Sequence, residues 1–76
     1  MATERQIDVA EERIRCTEEM ICRQKKIIES LENHGHSTIG ANTMMRLLWQ
    51  ELRTYEETLW LLAKSNRSSN SANDHP

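Results

Sequence analysis

The sequence contains few of the residues that interrupt helices. Its 76 residues include two Gly, one Pro and no Phe, while 37% are hydrophobic and 29% are charged. Such a composition is unlike that of collagen or of a disordered segment, and it is typical of long helices. It predicts an all-α protein. A chain of this length buries only about 60% of its unfolded surface, so we expect it to need a second chain or another source of stability.

Long hydrophobic runs and an excess of positive charge are also missing. No run approaches the roughly 18 apolar residues that a membrane-spanning helix needs, and residues 1–8 carry charges without an apolar stretch. The formal net charge is -2 and the pI is near 5.9, whereas proteins that bind nucleic acid present a basic surface to the phosphates. We therefore expect no membrane insertion, disfavour nucleic acid as a partner and predict a cytoplasmic protein.

Cysteine provides no internal cross-link. Cys16 and Cys22 are six positions apart on one predicted helix, which separates them by about 9 Å along its axis and places them on different faces. A disulfide cannot span that geometry. Two reduced thiols fit a reducing compartment, and their simplest role is that of small, half-buried hydrophobic residues. A bridge between two chains is the alternative.

Apolar residues recur at alternating spacings of three and four, which predicts helices over residues 3–33 and 38–64. The spacing is the heptad pattern of coiled coils. We predict that one stripe from each helix forms the core. These stripe residues are Ile7, Ile14, Ile21, Gln24, Ile28, Leu31, Met45, Leu48, Tyr55 and Leu62.

Residues 34–37 are predicted to form the turn between the helices. Gly35 is suited to the left-handed conformation that ends many helices, and Ser37 and Thr38 are suited to cap the next one. Because Gly40 weakens the first turn, the second helix could instead begin at Asn42. So short a connection predicts an antiparallel hairpin. Residues 65–76 are polar and lack apolar periodicity, which predicts a disordered tail.

Further apolar side chains lie beside the stripes and predict an interface. Two hairpins that pack these flanks together would form a four-helix bundle, most simply a twofold homodimer. The alternative is that the tryptophans only cover the hairpin core, although Trp is enriched at interface hot spots. The candidate interface residues are Met20, Ile27, Leu47, Trp49, Leu52, Leu59, Trp60 and Leu61.

Two polar residues, Thr17 and Gln24, interrupt the apolar stripe of the first helix. A polar residue at a core position can fix the register and the oligomeric state at a cost in stability. The equally good alternative is that the seam is thin and wet at these positions.

No set of residues predicts catalysis, a metal site or a cofactor. His34 and His36 have a spacing that could provide two metal nitrogens, but both cysteines are at least three helical turns away and His75 lies in the predicted tail. A two-helix chain offers no cleft that could desolvate a nucleophile and its base. We therefore expect neither an enzyme nor a bound metal.

The turn and the residues around it resemble a pattern in small alphaproteobacterial proteins without an established activity. In those proteins the turn reads Gly-His-Asp-Thr, so Ser37 stands where Asp is usual and keeps a capping oxygen without its charge. The resemblance implies a hairpin in a bacterial cytoplasm and adds no site. The matching residues are Gly35, His36, Ser37, Thr38, Ala41, Met44, Met45 and Leu48, with Ile14, Gln24, Ile28 and Leu31 upstream.

These observations lead to two hypotheses on function. The first is a homodimeric helical hairpin that docks on another protein through a face lined by Trp49, Trp60 and Leu side chains. The second is an RNA-binding hairpin dimer that acts as a regulator and is similar to the plasmid copy-number modulator. Its basic residues would have to come from the first helix, where six Arg and Lys are diluted by eight Asp and Glu.

Overall fold

The computed structural model of the chain is an antiparallel pair of helices, α1 (Glu4–Asn33) and α2 (Ile39–Asp74). It describes the backbone of residues 3–74 and the side chains of residues 3–65. The hairpin is 66 Å long and only 16 Å by 12 Å across. The predicted all-α hairpin is therefore confirmed, as a single layer of two helices.

The first helix begins with a capping box. The Thr3 hydroxyl accepts a hydrogen bond from the Gln6 backbone N–H at 3.2 Å, and the Gln6 side chain accepts one from the Thr3 N–H at 2.9 Å. These two bonds satisfy backbone donors that have no partner within the helix. Thr3, predicted as the first helical residue, is the cap instead, and Glu4 places an acidic side chain in the first turn.

The first helix ends in a Schellman motif. His36 N–H donates to the Leu31 carbonyl at 2.8 Å, and Gly35 N–H donates to the Glu32 carbonyl at 3.1 Å. Gly35 has a φ of 70°, the left-handed conformation that this motif requires. A Cβ at this position would meet no atom within 4 Å, so the backbone conformation alone calls for Gly. The predicted helix stop is confirmed.

The second helix begins at Ile39, one residue after the predicted start. The Thr38 carbonyl accepts the first helical hydrogen bond from Asn42 N–H at 2.8 Å, and the Ser37 hydroxyl lies 3.4 Å from the Ile39 nitrogen that donates to it. Gly40 lies inside the first turn, so the alternative start at Asn42 is wrong. The capping oxygens of the turn compensate for the weak helix propensity of Gly.

The C-terminal end of α2 differs from the prediction. The helical backbone continues to Asp74, whereas the sequence pattern placed the helix end at Lys64 and a disordered tail after it. Residues 65–74 contain neither Gly nor Pro. Ser and Asn are only modestly worse helix formers than Ala, so the loss of apolar periodicity did not mark a helix end. The predicted tail residues His75 and Pro76 lie outside the described residues.

The core is a thin seam between the helices. All ten predicted stripe residues are buried or half-buried, which confirms the stripe. Ile21, Leu48 and Leu52 form its centre at 4–5% exposure, with Ile14 and Met45 packed against them. No described side chain is less than 2% exposed. A two-helix layer therefore shields its core only partly, and the remaining apolar surface of both helices stays open.

The two polar stripe residues have different roles. The buried Thr17 hydroxyl donates to the Arg13 carbonyl of its own helix at 2.8 Å, so it carries no information on register. The Gln24 amide donates across the hairpin to the Ala41 carbonyl at 2.9 Å. Because this bond joins the two helices, it is compatible with the predicted role of Gln24 in fixing their register, which stays a prediction. At Thr17, which is 3% exposed, the seam is not wet.

The register of the helices follows from contacts along the seam. The Arg13 guanidinium lies 5.8 Å from the centre of the Tyr55 ring, and Ile21 packs with Leu48 and Leu52. The residue numbers of these three pairs add up to 68, 69 and 73, and those of Gln24 and Ala41 add up to 65. Residues of α1 and α2 whose numbers add up to about 70 therefore lie at the same height along the hairpin.

Candidate docking surface

Large apolar side chains stay exposed along most of the hairpin. Six of the eight candidate interface residues are about half exposed, from 48% for Met20 to 60% for Trp60, the others being Ile27, Leu47, Trp49 and Leu61. Val9 and Met44 are also about half exposed, and Ile39 is 77% exposed. Single exposed hydrophobic residues are common on proteins, but a contiguous set of them marks a contact surface.

Leu52 belongs to the core and was wrongly included in the candidate interface, whereas Leu59 is half-buried and stays a candidate. Leu52 is 5% exposed within the central cluster, and Leu59 is half-buried. Both lie on the heptad stripe of α2, which faces α1, so the first is inaccessible to a partner and the second only partly accessible.

The exposed residues form two flanks, and we call the first the Met flank. It carries apolar side chains of both helices on one side of the seam. Met20 of α1 and Met44 of α2 line the same groove, together with Arg23, Gln24 and Leu48. Leu47 lies about 60° around α2 from Met44 and lines the next groove with Tyr55. The flank's apolar residues are Val9, Met20, Ile27, Met44, Leu47 and Leu61.

The Met flank has a heptad pattern of its own, beside that of the core. On α1 it runs Val9, Arg13, Cys16, Met20, Arg23, Ile27, and on α2 it runs Met44, Leu47, Glu51, Thr54, Thr58, Leu61. Both runs alternate spacings of three and four, as the core stripes do. This pattern was present in the sequence and would have added Val9 and Met44 to the candidate interface.

The second surface, the Trp flank, lies on the other side of the seam. Trp49 and Trp60 point within about 20° of each other, and Trp49 lies about 160° around α2 from Leu47. A groove beside Trp49 is lined by Arg46, Arg53 and other side chains of α2 alone. Trp49 and Trp60 therefore lie on the flank opposite to Leu47 and Leu61, and the Leu residues next to the tryptophans are Leu52 and Leu59 of the stripe.

Cations contact the aromatic rings of both flanks. The Lys64 ammonium lies 4.7 Å from the centre of the Trp60 ring, one helical turn along the Trp flank, and Arg13 lies over Tyr55 beside the Met flank. Each cation–π contact of this kind stabilises the position of its two side chains by about 0.5–1 kcal/mol at an exposed site. The side chains on both flanks are therefore held in place to some extent before any partner binds.

The two cysteines also lie on different sides of α1. Cys16 belongs to the Met flank, where its thiol donates to a Glu12 carboxylate oxygen at 3.6 Å. Partial desolvation and the negative charge of Glu12 raise the pKa of the Cys16 thiol. Cys22 lies beside Arg15 and Glu18 on the outer face of α1. Both thiols are free, as predicted, but they are exposed, so the prediction that they are half-buried is wrong.

The turn places its two histidines side by side. Their ring centres are 6.4 Å apart and the rings are nearly parallel, and His34 Nδ1 lies 2.7 Å from the Ser30 carbonyl oxygen. Within the described part of the chain, no three His, Cys, Asp or Glu side chains come together as a metal site would need. The structure therefore gives His34 a role at the helix end.

Neither helix, over residues 3–74, combines the length and the apolar character needed to cross a membrane. Comparison of the chain with protein-family models, with curated proteins and with solved structures finds no match. The resemblance of the turn to alphaproteobacterial proteins stays a prediction. The function must therefore be argued from the two flanks.

Proposed function

We propose that this chain is a non-catalytic helical-hairpin interaction module that forms a homodimeric four-helix bundle in the cytoplasm and docks on another protein. The observation that carries the proposal is the apolar surface of the Met flank, which continues across both helices. A two-layer bundle would bury this flank, as pairs of helix layers do in stable domains. The exposed Trp flank would then be the surface for the partner.

The thin core supports a homodimer. Only four hydrophobic residues among those described are buried, with exposures of 4–5%: Ala10, Ile21, Leu48 and Leu52. Small domains of this size usually gain stability from a metal, a disulfide or a second chain. Both thiols are free, and the described residues bring no metal-binding group together. Of these three sources, a second chain is the one that the exposed flanks favour.

The shape of the surface supports docking over catalysis. The grooves among the described residues run along open helix surfaces. Catalysis by a nucleophile and a base requires a site from which water is largely excluded. Arg and Trp side chains, such as those that line the groove beside Trp49, are instead the residues that most often dominate binding between proteins.

The test of this proposal is the solution mass by light scattering across a hundredfold range of concentration. We expect a dimer over most of that range, with dissociation at its lower end. Tryptophan emission recorded on the same samples reports which flank the dimer covers. A monomer at every concentration would overturn the homodimer.

RNA remains the second candidate because of one arrangement on α2. Arg46 and Arg53 lie beside Trp49, and Lys64 lies over Trp60, so cations that could neutralise phosphates alternate with rings on which bases could stack. The basic residues come from α2, whereas the sequence directed attention to α1. A gel retardation assay with RNA at low salt tests this candidate. A shift of the RNA band that weakens steeply with added salt would favour RNA binding, and no shift would remove this candidate.

A further inference from the structure

We infer that the Met flank is covered by the Met flank of a second copy, with both turns at the same end of the dimer. The twofold axis runs parallel to the helices, so α1 of each copy lies on α2 of the other. The inference rests on the proposed homodimer and adds its interface and its direction.

The apolar residues at the two ends of the Met flank match in this arrangement. A twofold axis parallel to the helices keeps every residue at its own height, so α1 of one copy meets α2 of the other where residue numbers add up to about 70. Ile27 then lies on Met44 of the second copy, and Val9 lies on Leu61. Each of these side chains is about half exposed in the single hairpin, so the pairing buries apolar surface at both ends of the flank.

The charged residues of the Met flank match as well. Arg23 lines the groove between Met20 and Met44, and Glu51 lines the neighbouring groove. Their numbers add up to 74, so Arg23 of the second copy lies within about one helical turn of Glu51. The long Arg side chain can span that distance. The dimer would therefore contain this ion pair twice, once on each side of the axis.

The other twofold arrangement brings like charges together. With the turns at opposite ends, α1 lies on α1 and α2 on α2 around the middle of the hairpin. The middle of α1 is near residues 18 and 19, at the height of residues 51 and 52 of α2. Glu51 would then face Glu51 of the second copy, and Arg13 would lie beside Arg23. Like charges in such proximity disfavour an interface.

The dimer with both turns at one end leaves the Trp flank facing outward on both copies. Trp49 and Trp60 lie on the side of the seam opposite to Met20 and Met44, so neither tryptophan enters the dimer interface. The bundle thus presents two identical Trp flanks, one on each outer face. Both can hold a partner without separating the dimer.

Charge reversal tests the arrangement, because the two dimers predict opposite results. With the turns together, Arg23→Glu removes the attraction to Glu51 and weakens dimerisation about tenfold, and adding Glu51→Arg restores it. With the turns at opposite ends, Arg23→Glu places a negative charge beside Arg13 and tightens the dimer, which would overturn the inference. Lys26→Glu, on the outward side of α1, is the matched control and leaves the dissociation constant unchanged.

A distance measurement tests the direction independently. A spin label on Ser37→Cys, with Cys16 and Cys22 replaced by Ala, marks the turn of each copy. We expect a separation below about 30 Å with the turns together, whereas opposite ends would separate the labels by about 45 Å or more, the length of α1. A dimeric mass with the long distance overturns this inference alone. A monomeric mass by light scattering overturns it together with the proposed homodimer.

Discussion

The Met flank and the Trp flank expose similar side chains but are built differently. The Met flank combines residues of both helices across the seam, whereas the groove beside Trp49 is lined by α2 alone, next to a charged side of α1. Dimerisation buries most surface where both helices contribute, while a one-helix stripe suits a smaller contact. The number of exposed hydrophobic residues alone would not have separated the two surfaces.

The largest expected effect is a difference in stability between variants of two neighbouring residues, Leu48 in the core and Trp49 on the Trp flank. Leu48→Ala should cost about 2–5 kcal/mol of unfolding free energy because it leaves a cavity in the central cluster. Trp49→Ala, at a half-exposed position, should cost less than half as much. Urea unfolding followed by circular dichroism at 222 nm measures both. Equal losses would mean that the Trp flank is part of the core.

A second pair of variants compares the flanks directly. Leu47→Lys places a charge in the Met flank and should raise the dimer dissociation constant about 10- to 100-fold, because the two copies together lose roughly 1.5–3 kcal/mol of apolar burial at this half-exposed position. Trp49→Lys, two residues along the same helix, should leave dimerisation unchanged. Sedimentation equilibrium measures both constants. A dimer that Trp49→Lys disrupts and Leu47→Lys spares would exchange the roles of the flanks.

A third pair tests the seam below the Met flank. Gln24→Ala removes the hydrogen bond to Ala41 across the hairpin and should cost about 0.5–1.5 kcal/mol of unfolding free energy. Thr17→Val keeps the volume and removes a hydroxyl that bonds only within its own helix, so it should be nearly neutral. Thermal unfolding of the two variants measures the difference. The reverse order would assign the register to Thr17.

The smallest expected effect concerns the thiol of the Met flank. Since the thiolate is the reactive form, the raised pKa of Cys16 should slow its alkylation near pH 8, and Glu12→Gln should speed it a few-fold. Cys22 in the same molecule is the internal control. Peptide mapping after iodoacetamide treatment measures both rates. In the wild-type chain, protection of Cys16 that grows with protein concentration, without a change at Cys22, would place the dimer interface on the Met flank.

The sequence predicted the periodic stripe of each helix and the end of α1. Ten stripe residues and the Gly35 helix stop are confirmed because both depend on local periodicity and on one backbone conformation. The end of α2 could not be placed at Asp74, since a polar Ser- and Asn-rich segment lacks the apolar period that predicts a helix. Only its lack of Gly and Pro indicated that the helix could continue.

The candidate surface was predictable in its residues and in its division on α2, but not in what α1 adds to each flank. Exposure of Met20, Ile27, Leu47, Trp49, Trp60 and Leu61 follows from their positions beside the stripe. Leu52 was misassigned because its spacing of four from Leu48 places it on the core side of α2. The opposite placement of Leu47 and Trp49 follows from their spacing on one helix, whereas the side of α1 that meets each flank depends on the register of the hairpin.

The distribution of buried residues along the seam also predicts where the hairpin unfolds first. Its most protected cluster, Ile21, Leu48 and Leu52, lies near the middle, and the turn is closed by two backbone hydrogen bonds, whereas the far end beyond Ala10 has only exposed or half-buried side chains. Amide hydrogens should therefore exchange with solvent fastest at the end opposite the turn and slowest around Ile21. The helices should therefore separate first at the end opposite Gly35, and a second copy packed along the Met flank would hold that end together.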